Sequence, residues 1–347
     1  MVERMGERWI LGNLMDRFRI VEGGPLKPYR RSPPPGCSGA AGVQARGSRT
    51  CRPFANALLV TMSALVAVPA AAHCRIERIA VVPLAAGGRP VIGVSINGTA
   101  EQMLVDTGAE RSSVTPGAAT VLGLRRDPTR RTRLTTVGGD ELAANAVIDR
   151  LSIGNIHYPN LSLPIFQPGG VAANALIAGI VGTDLLSKFD LELDFPRQTL
   201  AFFRVTDCHA IRPPWAGQYQ TLPASISRRR QLLITVALDG HSVTALFDTG
   251  SQGELVSLDA AEGVGLSEAQ LAGDPGGTAT SGDLHAFRVR RHKFESLAIG
   301  TEMFCHPLIS VAEFDQDRID MLVGADYMRR HRFFLSFATS ALFIQDE

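Results

Sequence analysis

The stretch LFDTGSQGELVS, residues 246–257, places a carboxylate directly before a Thr-Gly pair and directly after a run of apolar residues. Nearly the same phrase, LVDTGAERSSVT, stands at residues 104–115. An aspartate at the end of a buried strand is costly to desolvate unless it is hydrogen-bonded or used in chemistry. Two such aspartates in one chain therefore predict a shared structural or chemical purpose.

The two phrases belong to an internal repeat. The number of residues that separates Asp106 from Asp248 also separates, to within one position, other pairs of similar phrases, and we call this separation the repeat offset. Repetition at a fixed period indicates a duplicated structural unit. The matching landmarks are IVGTDLL at 180–186 with LVGADYM at 322–328, and TTVGGD at 135–140 with TATSGD at 278–283. We therefore predict unit 1 at 88–205, a proline-containing linker at 206–229 and unit 2 at 230–347.

Each unit has the sequence pattern of β-strands. Short apolar or alternating runs, such as RPVIGVSING and LLITVALDG, are separated by Gly, Asn, Asp and Pro, which is typical of strands joined by turns. Only short helices fit, after each Asp-Thr-Gly and after each apolar-apolar-Gly phrase. The pattern predicts a mostly β protein.

The bulk composition is that of an ordinary globular protein. The 347 residues are 45% hydrophobic and 20% charged, with a formal net charge of +1. Such a balance produces no global field that favours nucleic acid or an acidic partner. We interpret the arginine clusters at 129–133 and 228–230 as solvated loops, and we predict no nucleic-acid partner.

The first part of the chain has a different character. Residues 1–53 are rich in Pro, Gly, Ser and Arg, which indicates disorder or sequence upstream of the true start. Residues 54–73 have the order of a secretory signal, with an apolar core and an Ala-Ala-Ala cleavage region. The alternative is a retained membrane anchor formed by 54–72. We expect a periplasmic or secreted protein, which contacts a membrane only if that segment is retained.

Three cysteines would remain after export, Cys74, Cys208 and Cys305. An oxidising compartment permits disulfides. Because three cysteines allow only one intramolecular pair, at most one disulfide can form within the molecule, and the sequence does not identify the pair. The chain has no C-x-x-C spacing and its eight histidines are scattered. We therefore expect neither a metal site nor another cofactor.

Two Asp-Thr-Gly turns have a chemical rationale if the carboxylates meet across a near two-fold axis. Two adjacent carboxylates cannot both ionise easily, so they share a proton and provide one acid and one base. The threonine hydroxyl can lock the turn against the opposite strand. Glycine lets the backbone turn sharply and approach its symmetry mate without a Cβ.

The phrases VDTGA and FDTGS, each followed by an apolar-apolar-Gly-x-Asp phrase, resemble those of the retropepsin and pepsin aspartic proteases. The resemblance covers residues 88–347, and this chain carries two units, as pepsin does. It implies a mostly β fold with two retropepsin-like closed β-barrel (acid protease) units in tandem, related by pseudo-two-fold symmetry. It also implies a monomer that forms an intramolecular pseudo-dimer; pairing of each unit with a second chain is the alternative.

The resemblance assigns roles to particular residues. The catalytic pair would be Asp106 and Asp248. Residues expected to support this pair are Thr107, Gly108, Thr249, Gly250, Ser251, Gly182 and Gly324. Glycine-rich hairpins would close over the substrate as flaps, and their residues are Gly138, Gly139, Ser281 and Gly282.

The two copies differ near the aspartates. Ser251 follows the second Asp-Thr-Gly, where the first copy has Ala109. A hydrogen bond from the Ser251 hydroxyl would favour the ionised form of Asp248, so we predict that Asp248 holds the charge and Asp106 the proton. We interpret Asp184 and Asp326 as caps of short helices.

These observations predict an aspartic endopeptidase that hydrolyses peptide bonds in a peptide or protein substrate through a water activated by the two aspartates. The alternative is a catalytically inactive peptide-binding module with the same fold. Both Asp-Thr-Gly triplets are intact, which favours the enzyme because a binding module has no need of two buried acids.

Overall fold

Strands account for most of the computed structural model, which describes residues 74–85, 89–136, 139–167, 177–280, 286–314 and 318–346. The elements up to residue 206 are β1 (Arg75–Pro83), β2 (Val91–Ile96), β3 (Thr99–Val105), β4 (Ser113–Val114), α1 (Pro116–Val121), β5 (Arg126–Thr136), β6 (Gly139–Ile153), β7 (Ile156–Pro164), β8 (Gly179–Val181), α2 (Thr183–Leu186), β9 (Asp190–Asp194) and β10 (Thr199–Thr206).

The remaining elements repeat this order closely. They are β11 (Gln220–Ile226), β12 (Leu232–Leu238), β13 (His241–Phe247), β14 (Leu255–Ser257), α3 (Leu258–Gly263), α4 (Glu268–Gly273), β15 (Gly276–Thr280), β16 (Ala286–Lys293), β17 (Ser296–Ile299), β18 (Glu302–Cys305), β19 (Leu308–Ala312), β20 (Met321–Val323), α5 (Ala325–Met328), β21 (His331–Ser336) and β22 (Ala341–Asp346). The prediction of a mostly β fold with two units is confirmed.

The strands form two sheets. The smaller has the order β4-β8-β3-β2-β6-β5, with β7 paired to β6, and it lies within unit 1. The larger has the order β1-β10-β9-β21-β22-β11-β12-β13-β20-β14-β19-β16-β15, and β17 joins it through β12. These pairings run from edge to edge through the described residues, so closure of each unit into a barrel stays a prediction.

A central antiparallel stretch, β1-β10-β9-β21-β22-β11, joins the two units with two-fold symmetric order. Where β9 meets β21, Leu191 pairs with Leu335 and Leu193 pairs with Phe333. The repeat offset relates Leu191 to Phe333 and Leu193 to Leu335, so the symmetry of the repeat exchanges the two pairs. The expected pseudo-two-fold axis therefore passes between these strands.

The segment predicted as a linker contributes to this central sheet. β11 lies within 206–229 and pairs with both β22 and β12. The indole Nε1 of Trp215 donates a 2.7 Å hydrogen bond to Glu192, and the ring packs 6.2 Å from that of Phe334. The segment is therefore part of the folded core, and the exact domain boundaries stay predictions.

The start of the described chain is also part of the fold. β1 pairs with β10 from Arg75 to Pro83, so this segment is a strand of the central sheet. A disulfide joins Cys74 to Cys208, across 134 residues of chain. This is the pair that the sequence left open.

The predicted upstream segment 1–53 and the predicted signal 54–73 lie outside the described residues. Across the described ranges, no helix combines the length and the apolar character that a bilayer crossing requires.

The short helices are held by local signals, although not all by the predicted ones. Thr115 and Ser257 cap α1 and α3 with their hydroxyl oxygens. The interpretation of Asp184 as a helix cap is wrong, because the N-cap residue of α2 is Gly182 and no side chain caps it. The Asp184 carboxylate instead accepts hydrogen bonds from the backbone N–H (2.8 Å) and hydroxyl (2.7 Å) of Ser112.

The same correction applies to the equivalent helix of unit 2. The N-cap residue of α5 is Gly324, again without a side-chain cap. Asp326 forms an ion pair with Arg329 at 2.9 Å.

Candidate active site

Each aspartate of the repeat stands at the end of a central buried strand. Asp106 follows β3 and Asp248 follows β13, and these strands pair in parallel with β8 and β20. The backbone N–H of Asp106 donates to the carbonyl of Val181, and that of Asp248 to the carbonyl of Val323, both at 3.0 Å. Each carboxyl therefore leaves a fixed backbone position at a strand end.

The threonines of the two turns lock the units together through a reciprocal hydrogen-bond network. The backbone N–H of Thr107 donates to the Thr249 hydroxyl at 3.0 Å, and that of Thr249 donates to the Thr107 hydroxyl at 3.1 Å. The Thr107 hydroxyl donates to the carbonyl of Phe247 at 2.6 Å, and the Thr249 hydroxyl to that of Val105 at 2.7 Å. Both side chains are fully buried, so water cannot replace these partners.

This network brings the two carboxyls into contact. The Asp248 carboxyl lies against Gly108 and the Asp106 carboxyl lies against Gly250, and both aspartates remain partly exposed. Oδ1 of Asp106 also accepts the backbone N–H groups of Gly108 (2.9 Å) and Ala109 (2.8 Å). Oδ1 of Asp248 accepts those of Gly250 (2.8 Å) and Ser251 (3.2 Å).

Glycine is required at the third position of each turn because the opposite carboxyl occupies the space of a side chain. A Cβ on Gly108 would overlap the carboxyl group of Asp248, and a Cβ on Gly250 would overlap that of Asp106. Neither carboxyl can move away without losing its backbone hydrogen bonds. The glycines therefore permit the close approach that the sequence reasoning expected of them.

The proton equilibria of the pair are strongly perturbed. Burial raises the pKa of Asp106, opposed by the hydrogen bonds from Ala109 and Gly108, by the bond to Asp248 and by the charge of Arg89. Burial, followed by the charge of Asp106, raises the pKa of Asp248 to about 8. Two adjacent carboxyls that share one proton behave in this way, and the neighbours of the pair favour the proton on Asp248.

The prediction that the Ser251 hydroxyl stabilises a charge on Asp248 is wrong. That hydroxyl donates to the carbonyl oxygen of Gly253 at 2.9 Å. Asp248 receives only the backbone N–H of Ser251 from that residue, just as Asp106 receives the N–H of Ala109. The side-chain difference between the copies therefore does not assign the charge to Asp248.

The glycines downstream of each turn lie against it, as expected for supporting residues. A Cβ on Gly182 would approach the backbone carbonyl carbon of Arg111 to 2.7 Å and the carbonyl oxygen of Ala109 to 2.8 Å. A Cβ on Gly324 would approach the backbone nitrogen of Gly253 to 2.8 Å. Only glycine allows the loop after each Asp-Thr-Gly turn to lie this close to the chain at the end of β8 or β20.

The predicted flaps are only partly within the described residues. Gly139 pairs with Thr136 where the β5–β6 hairpin turns. Gly138, Ser281 and Gly282 lie outside the described residues, so the flap role stays a prediction.

Two residues that the sequence reasoning missed lie beside the aspartates. Val91 pairs with Leu104, which places Arg89 opposite Asp106 two residues further along the antiparallel strands. Gln231 has the equivalent place in unit 2, because the repeat offset separates it from Arg89. Its Nε2 donates to the carbonyl oxygen of Gly108 at 2.5 Å.

Arg89 is half-buried, and burial lowers its pKa while the charges of Asp106 and Asp248 raise it. In the described part of the chain its guanidinium has no ion pair or hydrogen bond. The internal repeat was a signal that could have identified both residues.

Comparison with known protein families agrees with this geometry. Residues 92–188 match the family described as gag-polyprotein putative aspartyl protease. Residues 234–327 match the family described as aspartyl protease. The starts of the two matches are separated by the repeat offset, and each match contains one of the Asp-Thr-Gly turns.

Proposed function

Because the chain belongs to the retropepsin-like aspartyl proteases and carries two such units in tandem, we propose that it is an aspartic endopeptidase with Asp106 and Asp248 as its catalytic pair. The observation that carries this proposal is the contact between the two carboxyls, one from each unit. A buried threonine network and two glycines hold them together. A binding protein would keep two desolvated acids in contact at a cost and without a use.

The pair provides both proton transfers that amide hydrolysis needs. The ionised carboxylate accepts a proton from a water molecule as the water oxygen attacks the peptide carbonyl carbon. The protonated carboxyl donates its proton to the carbonyl oxygen. A proton then passes to the amide nitrogen, the C–N bond breaks, and an acid and an amine are released.

We assign the proton of the resting pair to Asp248 and the charge to Asp106. Desolvation and the neighbouring charge together raise the pKa of Asp248 to about 8. Arg89, opposite Asp106, favours a negative charge on that carboxyl. The 2.9 Å and 2.8 Å backbone hydrogen bonds to Asp106 act in the same direction.

The test is hydrolysis of a mixed peptide library by the purified protein, with and without a statine-type inhibitor of aspartic proteases. We expect cleavage that the inhibitor abolishes and EDTA leaves unchanged. Binding of peptides without any cleavage would favour the inactive binding module. Loss of activity in EDTA that zinc restores would indicate a different class of hydrolase.

We also propose that the protein is exported and acts as a monomer. The Cys74–Cys208 disulfide supports an oxidising compartment. The pairing of β9 with β21 within one chain supports an intramolecular pseudo-dimer. Size-exclusion chromatography with light scattering tests the second point, and a mass of two chains would favour pairing between copies.

A further inference from the structure

An arginine-lined pocket lies next to the Asp106 turn on the unit 1 side. Its volume is about 310 Å³. One wall is the loop that continues from the turn, at Glu110 and Arg111, and the other is β5, at Arg130 and Arg131. β5 is an edge strand of its sheet and leads into the predicted flap. The pocket therefore lies between the loop that continues from the Asp106 turn and the strand that leads into the predicted flap.

The charge of this pocket is strongly positive. Arg111, Arg130, Arg131 and Arg133 line it, with Glu110 as the only acidic lining residue. The Glu110 carboxylate lies 3.6 Å from Arg111 and 3.7 Å from Arg229, so its charge is already balanced. Asp127 lies nearby and keeps its negative charge, because the hydroxyl of Ser162, at 2.7 Å, lowers the pKa of its carboxyl to about 2, but the four arginines outnumber it.

Two of the arginines have guanidinium groups that are available to bind a ligand. Arg130 and Arg131 are exposed, and within the described ranges neither side chain has an ion pair or a hydrogen bond. Guanidinium groups recognise carboxylates with paired donors. Two of them in one pocket form a receptor for an acidic side chain.

The distance to the dyad suits an extended peptide. Arg111 is the fifth residue after Asp106, so the chain between them spans at most about 18 Å. An extended peptide advances by about 3.3 Å per residue. A residue within about five positions of the scissile bond would therefore reach the pocket.

Unit 2 carries no arginine at the described positions that correspond to Arg130, Arg131 and Arg133. Counted from the matched turns TTVGGD and TATSGD, positions 130–133 correspond to 273–276, which read Gly-Asp-Pro-Gly. The Asp274 carboxylate is engaged with His292 at 2.6 Å. The arginines of β5 therefore have no counterpart at these positions of unit 2, whose arginines Arg288, Arg290 and Arg291 lie instead on β16.

We propose that the pocket lined by Arg111, Arg130 and Arg131 binds an acidic side chain of the substrate, so that the enzyme cleaves peptides with Asp or Glu within about five residues of the scissile bond, on one side of it. This inference rests on the proposed peptidase function, which it deepens by naming the substrate class.

The test uses the full chain and peptide pairs that share a scissile region mapped from the library. The members of each pair differ only by Glu or Gln at the distal position. For the wild type we expect kcat/KM to be about 5- to 20-fold higher for the Glu peptide, and the ratio to fall in high salt because exposed charges are screened. Arg130→Gln with Arg131→Gln should reduce the ratio to within about twofold of one.

Two further variants keep the result interpretable. Arg130→Glu with Arg131→Glu should reverse the preference, favouring a Lys peptide over the Glu peptide, which a merely misfolded protein cannot do. Arg150→Gln with Arg212→Gln removes two exposed arginines elsewhere and should leave the ratio unchanged. Equal loss in this control pair would mean that only net charge matters, and the pocket assignment would be wrong.

Binding separates this inference from the peptidase proposal. Anisotropy of labelled peptides with the Asp106→Asn protein measures recognition without turnover. Glu-dependent binding that needs Arg130 and Arg131, without cleavage by the wild type, would retain the pocket and reject the peptidase. Cleavage with no acidic preference would retain the peptidase and reject the pocket. Tighter binding of a short oligonucleotide than of the Glu peptide would also overturn the assignment to an acidic peptide.

Discussion

Replacement of Thr107 by valine tests whether the reciprocal threonine network holds the two units together. Valine has nearly the same shape as threonine but lacks the hydroxyl. In the variant, the carbonyl oxygen of Phe247 loses the donor now at 2.6 Å, and the backbone N–H of Thr249 loses the acceptor now at 3.1 Å. Both groups lie where the structure leaves no access for water, since Thr107 and Thr249 are 0% and 1% exposed.

The magnitude follows from the number of groups left without a partner. Each buried polar group that loses its hydrogen bond costs about 1–3 kcal/mol, so Thr107→Val, which leaves two such groups, should lower the free energy of unfolding by about 2–6 kcal/mol. Thr107→Ser keeps the hydroxyl and loses one methyl group, which costs about 1 kcal/mol. Because the network is symmetric, Thr249→Val should cost the same as Thr107→Val to within about 1 kcal/mol.

The assay is urea denaturation followed by tryptophan fluorescence, which reports on Trp215, whose ring packs against the central sheet. At an unchanged slope, a shift of the midpoint measures the change in the free energy of unfolding. The serine variants serve as matched controls, since they remove volume without removing the hydrogen bonds.

The reasoning would be refuted by valine variants that lose less than about 1 kcal/mol, or no more than the serine variants. It would also be refuted if only one of the two threonines mattered. In either case the contact between the aspartates would depend on something other than this network.

Further predictions concern the dyad and the N-terminus. Asp106→Asn and Asp248→Asn should each leave less than about a tenth of the wild-type peptidase rate, since an amide cannot accept or release the proton needed there; a higher residual rate would reject the two-carboxylate mechanism. Asp248→Asn should also be more stable than the wild type above about pH 4, and the difference measured by urea denaturation should grow up to about pH 8. Over that window Asp248 of the wild type is ionised in the unfolded chain but protonated in the folded protein, where its pKa is raised to about 8, so a rise in pH favours unfolding of the wild type. Arg89→Gln, which introduces the residue type found at Gln231, should move the acidic limb of the pH–rate profile to higher pH, whereas Arg89→Lys should preserve the limb; identical profiles for both variants would remove Arg89 from the site. N-terminal sequencing of the exported protein should begin close to His73, and an intact 54–72 segment in the membrane fraction would indicate an anchor.

The division into two units and the meeting of the two Asp-Thr-Gly turns could be predicted because each depends on a local pattern. A buried strand followed by Asp-Thr-Gly, and an apolar-apolar-Gly phrase downstream, encode a strand end and a tight contact within a few residues. The constant offset between the two sets of landmarks then implied that the two copies pair. The glycines at 108 and 250 followed from the same reasoning, since a close approach excludes a Cβ.

The sequence failed where a side chain had several partners within reach. The Ser251 hydroxyl has two acceptors within a few residues, the Asp248 carboxylate and the Gly253 carbonyl oxygen, and the sequence alone does not say which of them it meets. Asp184 bonds to Ser112 instead of capping its own helix, because folding brings a residue 72 positions away within 2.7 Å. Local propensity cannot anticipate a partner that tertiary packing supplies.

By itself, the sequence determined a duplicated, mostly β chain with two Asp-Thr-Gly turns, because strand periodicity and glycine turns are properties of short segments. Only the tertiary structure decided which groups surround the two aspartates: Arg89 opposite Asp106, Gln231 against Gly108, and an arginine-lined pocket beside the Asp106 turn. It also chose Cys208 as the partner of Cys74. These contacts join segments that are distant in the chain, or depend on which face of an edge strand meets a loop. Their geometry is therefore set by the packing of the two units across the pseudo-two-fold axis.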